Sequence, residues 1–228
     1  MEAISKRIHK GPPLGILEII FTFLFITGLS FVISLSGTPP YFPGPWESAQ
    51  AIATYFQNQS HDVLMCAFFQ FGSAIPLGLL TASIVSRLQF LGVRASGSYI
   101  ALFGGFVMAI NLIISALILW VMAYPGIAQE ASVNRALYYL AFAIGGVGYS
   151  VPLGLLIAGV SVTSGFMKLL PKWMVWFGIS IAVIGETSFL SLIFPQLVYL
   201  IPLTRFPGFI WLIIAGFMLP KTIQRKTA

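Results

Sequence analysis

Two ionisable side chains interrupt the long apolar stretches of the chain, and they are the first candidates for chemistry. Glu186 lies within the sequence IAVIGETSFLSL, and Arg205 is the nearest cation on the same side of the predicted membrane spans. An ionised group is costly inside a bilayer, and its presence suggests a functional role. We predict that Glu186 either anchors a ligand or a proton, or forms an ion pair with Arg205 that ties the last two spans together.

Three further polar residues lie within apolar stretches. Asn111 and Gln70 are predicted in the middle of the third and second spans, and together with the two residues above they form the candidate ligand-binding set. The alternative for both amides is a hydrogen bond between helices. Glu18 lies about one turn into the first span, so we expect its carboxylate to reach the cytoplasmic interface or to pair with Lys10.

The sequence favours no catalytic site, no metal site and no cofactor. His61 and Asp62 are adjacent, but neighbouring side chains on a helix point in different directions, and Asp62 suits the N-terminus of a helix. The chain contains no HExxH, GxSxG or Walker sequence. No lysine lies within a predicted span, which argues against a retinal Schiff base. The single cysteine, Cys66, excludes a disulfide within the chain.

The composition requires a bilayer as the solvent. Hydrophobic residues make up 58% and charged residues only 8% of the 228 positions, whereas soluble domains carry about 25% charged residues. Apolar runs of about 20 residues cross the hydrocarbon core as helices. The predicted architecture is all-α, a polytopic bundle of six transmembrane helices in one integral membrane domain, 1–228. The predicted spans are 14–36, 62–85, 98–122, 136–163, 173–194 and 205–220.

The distribution of positive charge predicts the orientation of the bundle. Ten of the twelve lysines and arginines fall at the chain ends or in the loops after the second and fourth spans, and Arg135 and Arg205 fall on the other side. By the positive-inside rule both termini are cytoplasmic, which predicts a multi-pass protein of a cell membrane such as the bacterial inner membrane. The net charge of +6 then faces anionic lipid headgroups. The expected partner is the bilayer rather than nucleic acid.

The longest loop, 37–61, is predicted on the outer side. It begins with the proline-rich sequence GTPPYFPGP, and a helical periodicity follows over 46–58. Trp46, Ala53 and Phe56 fall on one face of this segment. We expect a short interfacial helix that lies on the outer leaflet or caps the bundle.

Two similar sequences, IPLGLL at 75–80 and VPLGLL at 151–156, lie in the same order 76 positions apart. Each contains a proline in the middle of a span, so Pro76 and Pro152 are predicted helix kinks. Because glycines lie a turn away, we expect the two kinked helices to pack face to face near the bundle centre. The pair suggests an internal repeat of helix hairpins; chance similarity between common membrane residues is the alternative.

The C-terminal third of the chain contains three sequence features that occur together in one known family. These are an LPKW entry, GISIAVIGE at 178–186 and WLIIAGF at 211–217, and the helix PLGLLIAG at 152–159 fits as well. This part resembles the DUF4386-type multi-span membrane proteins of bacteria, an uncharacterised family. The resemblance implies a bundle of six or seven helices and no known activity, and it places Glu186 and Arg205 in the matching segment.

Three functions remain open from the sequence. The first, which the sequence favours, is the binding or transport of a small or lipophilic molecule in a cavity between the kinked helices, with Glu186 as its polar anchor. The second is a non-catalytic accessory or assembly subunit of a larger membrane complex, or a homo-oligomer, because almost no chain lies outside the bilayer. The third is an intramembrane enzyme that modifies lipids with His61, Asp62 or Glu186.

Overall fold

The computed structural model describes residues 4–33 and 40–226, which form a bundle of α-helices and one two-stranded sheet. Six helical segments are long and apolar enough to cross a membrane, which confirms the predicted all-α architecture with six spans. The elements are β1 Ile4–Ile8, α1 Leu14–Val32, α2 Ala49–Asn58, α3 Ser60–Phe90, α4 Gly97–Met122, α5 Ala131–Gly145, α6 Val147–Phe166, α7 Lys172–Thr187, α8 Leu200–Met218 and β2 Thr222–Lys226. Short 3₁₀ turns occupy Ile127–Gln129, Ser188–Leu192 and Pro195–Tyr199.

The predicted spans differ from the observed ones mainly at their ends. Residues 34–36 of the predicted first span lie outside the described residues. The second span, α3, has 31 residues, about 46 Å at 1.5 Å per residue, so it extends beyond the hydrocarbon core. The fourth span consists of two helices, α5 and α6. The last span begins earlier than predicted, because α8 includes Arg205 within its second turn.

The fifth span is α-helical only as far as Thr187, although the prediction continued it to residue 194. The Thr187 hydroxyl donates to the Val183 carbonyl at 2.8 Å, and the Ser188 hydroxyl donates to the Gly185 carbonyl at 2.6 Å. Such side-chain bonds compete with the helical main-chain pattern. The span therefore continues as a 3₁₀ turn and reverses before α8.

α4 lies at the centre of the bundle, between the two helices that contain the similar proline sequences. A Cβ on Gly105 would lie 2.3 Å from the Thr81 side chain of α3, and one on Gly104 would lie 2.5 Å from the Pro152 carbonyl oxygen of α6. The two adjacent glycines therefore let α3 and α6 approach α4 closely. The predicted face-to-face packing of the kinked helices is wrong, because α4 separates them.

The two proline sequences also have different surroundings. A Cβ on Gly78 of α3 would meet nothing within 4 Å, whereas one on Gly154 of α6 would lie 3.0 Å from the Ala182 carbonyl oxygen of α7. α3 is continuous, while the span that contains α6 is interrupted. The internal repeat therefore stays a prediction.

The predicted interfacial helix is α2, and it caps the end of the bundle opposite the termini. The Ser48 side chain accepts a hydrogen bond from the Ala51 N–H at 3.1 Å and so caps its N-terminus. Phe56 is fully buried, and its ring centroid lies 5.2 Å from that of Tyr138 in α5. Because its apolar face is packed in this way, α2 belongs to the bundle rather than lying free on the leaflet.

The two chain ends meet in a small antiparallel sheet that was not predicted. β1 pairs with β2, from Ile4 opposite Lys226 to Ile8 opposite Thr222. The strands are short and basic, and the partners lie at opposite ends of the chain, so no local pattern indicates them. The pairing places both ends on one face of the bundle, hereafter the termini face.

His9 attaches this sheet to the end of α3. Its Nδ1 accepts a hydrogen bond from the Gly11 N–H at 3.2 Å, and its Nε2 lies 3.1 Å from the Ser86 hydroxyl oxygen. Burial, and secondarily the positive charge of Arg87, lower the pKa of His9. The neutral ring suits these contacts, because an accepting Nδ1 leaves the proton on Nε2 for donation to Ser86.

Candidate functional site

The fourth span is interrupted at Gly146, which lies between α5 and α6. Its φ of −89° and ψ of −93° are outside the helical range. A Cβ at this position would lie 2.5 Å from the Phe142 carbonyl oxygen, so the close approach requires glycine. The Tyr149 N–H bonds to the Gly146 carbonyl at 3.2 Å, whereas in a continuous helix it would bond to Gly145. The break thus frees the Gly145 carbonyl from its usual donor.

Asn111 of α4 supplies a hydrogen bond that Pro152 removes. In a regular helix the N–H of residue 152 would bond to the Gly148 carbonyl, but proline has no N–H. The Asn111 Nδ2 donates to the Gly148 carbonyl oxygen at 2.5 Å instead. Asn111 therefore forms the predicted hydrogen bond between helices, and this bond replaces the main-chain bond that Pro152 removes.

Arg205 of α8 also reaches the break. Its Nη2 donates to the Gly145 carbonyl oxygen, the group that the break has freed. Its guanidinium carbon lies 4.7 Å from the ring centroid of Tyr149 and 5.2 Å from that of Phe25, which are cation–π distances. The side chain is partly buried, and its Nε has no hydrogen-bond partner among the described residues. One carbonyl and two aromatic rings therefore hold Arg205.

Glu186 is not among the contacts of Arg205, so the predicted ion pair between them is wrong. Glu186 lies beside α6 further from the break, where a Cβ on Gly154 would lie 3.2 Å from the Glu186 Cγ. Its side chain is partly exposed. The prediction failed because proximity in sequence was the only guide. Arg205 instead donates its hydrogen bond to the Gly145 carbonyl of the interrupted fourth span.

Glu18 is buried, which contradicts its predicted position at the membrane interface. It is 0% exposed, and both carboxylate oxygens lack a hydrogen-bond partner among the described residues. The buried residues of α1 follow a spacing of three and four, and Glu18 falls on that stripe with Leu14, Phe21 and Phe25. This spacing was the sequence signal that would have placed Glu18 inside the bundle.

Gln70 and Pro76 of α3 lie away from the break. Gln70 is buried where α3 packs on α1, since a Cβ on Gly28 would lie 3.4 Å from its Cγ. Pro76 is buried within α3, which is separated from α6 by α4. Of the predicted ligand-binding set, the structure brings Asn111 and Arg205 together at the break and leaves the other members elsewhere.

The adjacent pair His61 and Asp62 lies in the first turn of α3. Asp62 thereby occupies the position predicted for an acid at the N-terminus of a helix. Within residues 4–33 and 40–226, no group of three or more His, Cys, Asp or Glu side chains is placed to hold a metal ion.

A mostly apolar pocket of about 290 Å³ borders the break. Phe142, Ala143 and Val147 form the wall contributed by the fourth span, and Pro195 and Ile201 form the wall contributed by α8 and the turn before it. The side chain of Ile201 would lie 3.3 Å from a Cβ at the break itself. The pocket is therefore lined by residues that flank the break on both sides.

Trp46 lines this pocket from the loop that precedes α2. Its ring centroid lies 5.9 Å from that of Phe142, edge to face. The Tyr138 hydroxyl of α5 donates to the Pro43 carbonyl at 2.5 Å and so holds the loop against the bundle. The sequence placed Trp46 on the apolar face of α2, but the helix begins after Ser48, which leaves Trp46 in the preceding turn.

The break and the pocket were not predicted. The available signal was the doublet Gly145-Gly146 inside an apolar run, because each glycine disfavours a helix by about 1 kcal/mol relative to alanine. Tyr149 gives no such signal. Its ring is fully buried, and an aromatic residue in an apolar run is normally part of the core.

Comparisons of the chain with protein-family models, with curated proteins and with solved structures find no match. The resemblance to the DUF4386-type family therefore stays a prediction. The geometry of the break and of its pocket is what bears on function.

Proposed function

We propose that this integral membrane protein binds a small lipophilic molecule in the pocket beside the broken fourth span. The position of the pocket is the observation that carries the proposal. Its wall includes Phe142, Ala143 and Val147, which flank the point where the fourth span ceases to be a helix. Non-helical backbone at membrane depth is tolerated where it is buried or lines a cavity, and interrupted helices form the substrate sites of many transporters.

The lining of the pocket favours an apolar ligand. Phe142, Val147, Pro195 and Ile201 carry no charge, and Ser191 offers a hydroxyl. A volume of about 290 Å³ is at the lower limit of ligand pockets, roughly 300–1,000 Å³. The pocket therefore suits a small ring system or part of an acyl chain rather than a whole phospholipid.

The polar contacts behind the pocket suit a wall that can move. Asn111 and Arg205 replace main-chain hydrogen bonds at the break, so the segment is stabilised without being a continuous helix. A ligand between α5 and α8 would press on Ile201, whose side chain approaches the break at Gly146. We infer that binding shifts α5 relative to α8, which is the movement that a carrier would use to take up or release its cargo.

A photoreactive alkane tests this proposal. The purified protein in lipid nanodiscs is irradiated with a short alkyl diazirine at increasing concentrations, and the labelled peptides are mapped by mass spectrometry. We expect saturable labelling of residues 142–147, because a pocket of fixed volume fills. Labelling of lipid-facing surfaces should rise in proportion to the probe concentration.

Two tryptophan variants control for non-specific labelling. Ala143→Trp fills the pocket and should abolish the saturable component. Leu117→Trp places the same side chain on α4, where Leu117 is 47% exposed, and should leave that component unchanged. Proportional labelling of 142–147 in the wild-type protein, or saturable labelling that survives Ala143→Trp, would contradict the proposal.

We further propose where the protein resides and which family it belongs to. We place the protein in a cell membrane, such as a bacterial inner membrane, with the termini face in the cytoplasm and the pocket toward the outer leaflet. The excess of lysine and arginine on the termini side supports this orientation. Kinship with the DUF4386-type proteins is consistent with it. An accessory subunit would be recognised by a protein partner that remains bound during purification.

A further inference from the structure

A second groove lies at the termini face, between the end of α6 and the start of α7. Its volume is about 680 Å³, larger than that of the pocket at the break. Val162 and Phe166 of α6 and Trp176 and Ile179 of α7 form its apolar walls. Phe166 is 84% and Trp176 is 67% exposed. Ile179 lies about 10 Å along α7 from Lys172, so the groove runs from the membrane interface toward the hydrocarbon core.

Positive charge is concentrated at the mouth of this groove. Lys168 and Lys172 line it, and both are exposed. α7 begins at Lys172, with no side-chain cap and no acidic residue in its first turn. The first N–H groups of a helix are free donors at the positive end of its dipole. A lysine at this position is unfavourable unless an anion offsets the charge.

The acidic residues of the described chain do not offset it. Glu47, Asp62 and Glu130 belong to the opposite side of the bundle, Glu18 is buried inside it, and Glu186 is at the far end of α7. Among residues 4–33 and 40–226, no acidic side chain therefore complements the charge of the groove.

The backbone at Lys168 is a separate indication of function. Its φ of 53° is left-handed, and the bonds from its N–H to the Gly165 carbonyl at 3.2 Å and from the Leu169 N–H to the Ser164 carbonyl at 2.8 Å form a Schellman cap. Glycine is the usual residue there, because a side chain is strained in this conformation. A lysine in a left-handed conformation at the mouth of a groove suggests that its charge is used.

We propose that this groove binds an anionic glycerophospholipid of the leaflet at the termini face. Its phosphate lies between Lys168, Lys172 and the first N–H groups of α7, and an acyl chain follows Phe166 and Trp176. Basic grooves between helices on the cytoplasmic side recognise such headgroups, lysine binds phosphate as a point charge, and tryptophan is enriched at the interface. The site is separate from the pocket at the break.

Quenching of tryptophan fluorescence by brominated lipids tests this site. The full chain is reconstituted in phosphatidylcholine vesicles that contain increasing fractions of brominated phosphatidylglycerol or, in parallel, brominated phosphatidylcholine. Trp176 lines the groove, and a Trp176→Phe variant identifies its share of the signal. We expect its half-maximal quenching at about a 25-fold lower fraction of the anionic lipid, since each of the two lysines near the membrane surface contributes roughly fivefold.

Matched variants separate a site from diffuse surface charge. Lys168→Gln with Lys172→Gln should remove this preference, whereas Lys10→Gln with Lys221→Gln removes the same charge from the same face and should retain it. Lys168→Gly suits the left-handed backbone, so it should fold at least as well as wild type and still lose part of the preference. Equal quenching by the two lipids, or equal loss of preference in both double variants, would overturn the proposal.

Discussion

Asn111 and Arg205 complete the main-chain hydrogen bonding where the fourth span is interrupted. Each donates to a carbonyl that has lost its usual N–H donor, at Gly148 and Gly145 respectively. An unsatisfied carbonyl costs several kcal/mol inside a bilayer. These two side chains therefore stabilise the break, and they couple α4 and α8 to the same short segment.

Because Asn111 replaces the hydrogen bond that Pro152 removes, the substitution of Pro152 should restore stability that the substitution of Asn111 has lost. Asn111→Ala should lower the free energy of unfolding by about 1 kcal/mol, the size of a typical hydrogen bond between membrane helices. Pro152→Ala restores the N–H that can reach Gly148, so it should recover stability in the Asn111→Ala background. Unfolding in mixed detergent micelles, measured for the wild type, both single variants and the double variant, gives the coupling energy. Strict additivity would show that the two residues do not share the Gly148 carbonyl.

Arg205 should be coupled to Tyr149 and not to Glu186. Arg205→Gln removes a charge-assisted hydrogen bond and two cation–π contacts, so we expect a loss of about 2–4 kcal/mol. Its effect should be non-additive with Tyr149→Leu, because the two residues are in contact. Glu186→Gln is the control, and its small effect should add to that of Arg205→Gln. A coupling energy between Glu186 and Arg205, measured in the same unfolding assay, would instead indicate a direct pair.

Among the elements, the spans could be predicted and their neighbours could not. Hydropathy identified six spans because a bilayer forces each helix to satisfy its own main-chain groups. The glycines at 104 and 105 of α4 were visible in the sequence, but nothing local shows that one faces α3 and the other faces α6. The residues of the candidate site could likewise be found in the sequence, but their contacts could not. Asn111 and Arg205 were singled out for their polarity, whereas their meeting at the break depends on how α4, α8 and the two helices of the fourth span pack.

The break in the fourth span should depend on Gly146 itself. Gly146→Ala should destabilise the protein by about 1–3 kcal/mol, because its Cβ would lie 2.5 Å from the Phe142 carbonyl oxygen. Gly72→Ala is the matched control in α3, where a Cβ would meet nothing within 4 Å. It should be neutral or stabilising by up to about 1 kcal/mol through helix propensity. Equal losses for the two variants in thermal unfolding would contradict a special role for the break.

The termini face carries most of the positive charge of the protein and should be cytoplasmic. In a Cys66→Ala background, Lys221→Cys probes the termini face and Gln129→Cys probes the opposite face, since both positions are exposed. A membrane-impermeant thiol reagent should label Gln129→Cys in intact cells and Lys221→Cys only after permeabilisation. The reverse pattern would place the pocket at the break in the cytoplasmic leaflet.

Native mass spectrometry of the protein released from its own membranes, with minimal delipidation, tests binding at the break most directly. We expect the wild-type chain to retain a small molecule of defined mass, Leu117→Trp to retain it as well, and Ala143→Trp to lose it. The variant with Lys168→Gln and Lys172→Gln should also retain it, because the lipid groove is a separate site. A bare chain, or a molecule retained equally by Ala143→Trp, would contradict a ligand at the break, and a retained protein partner would favour an accessory subunit.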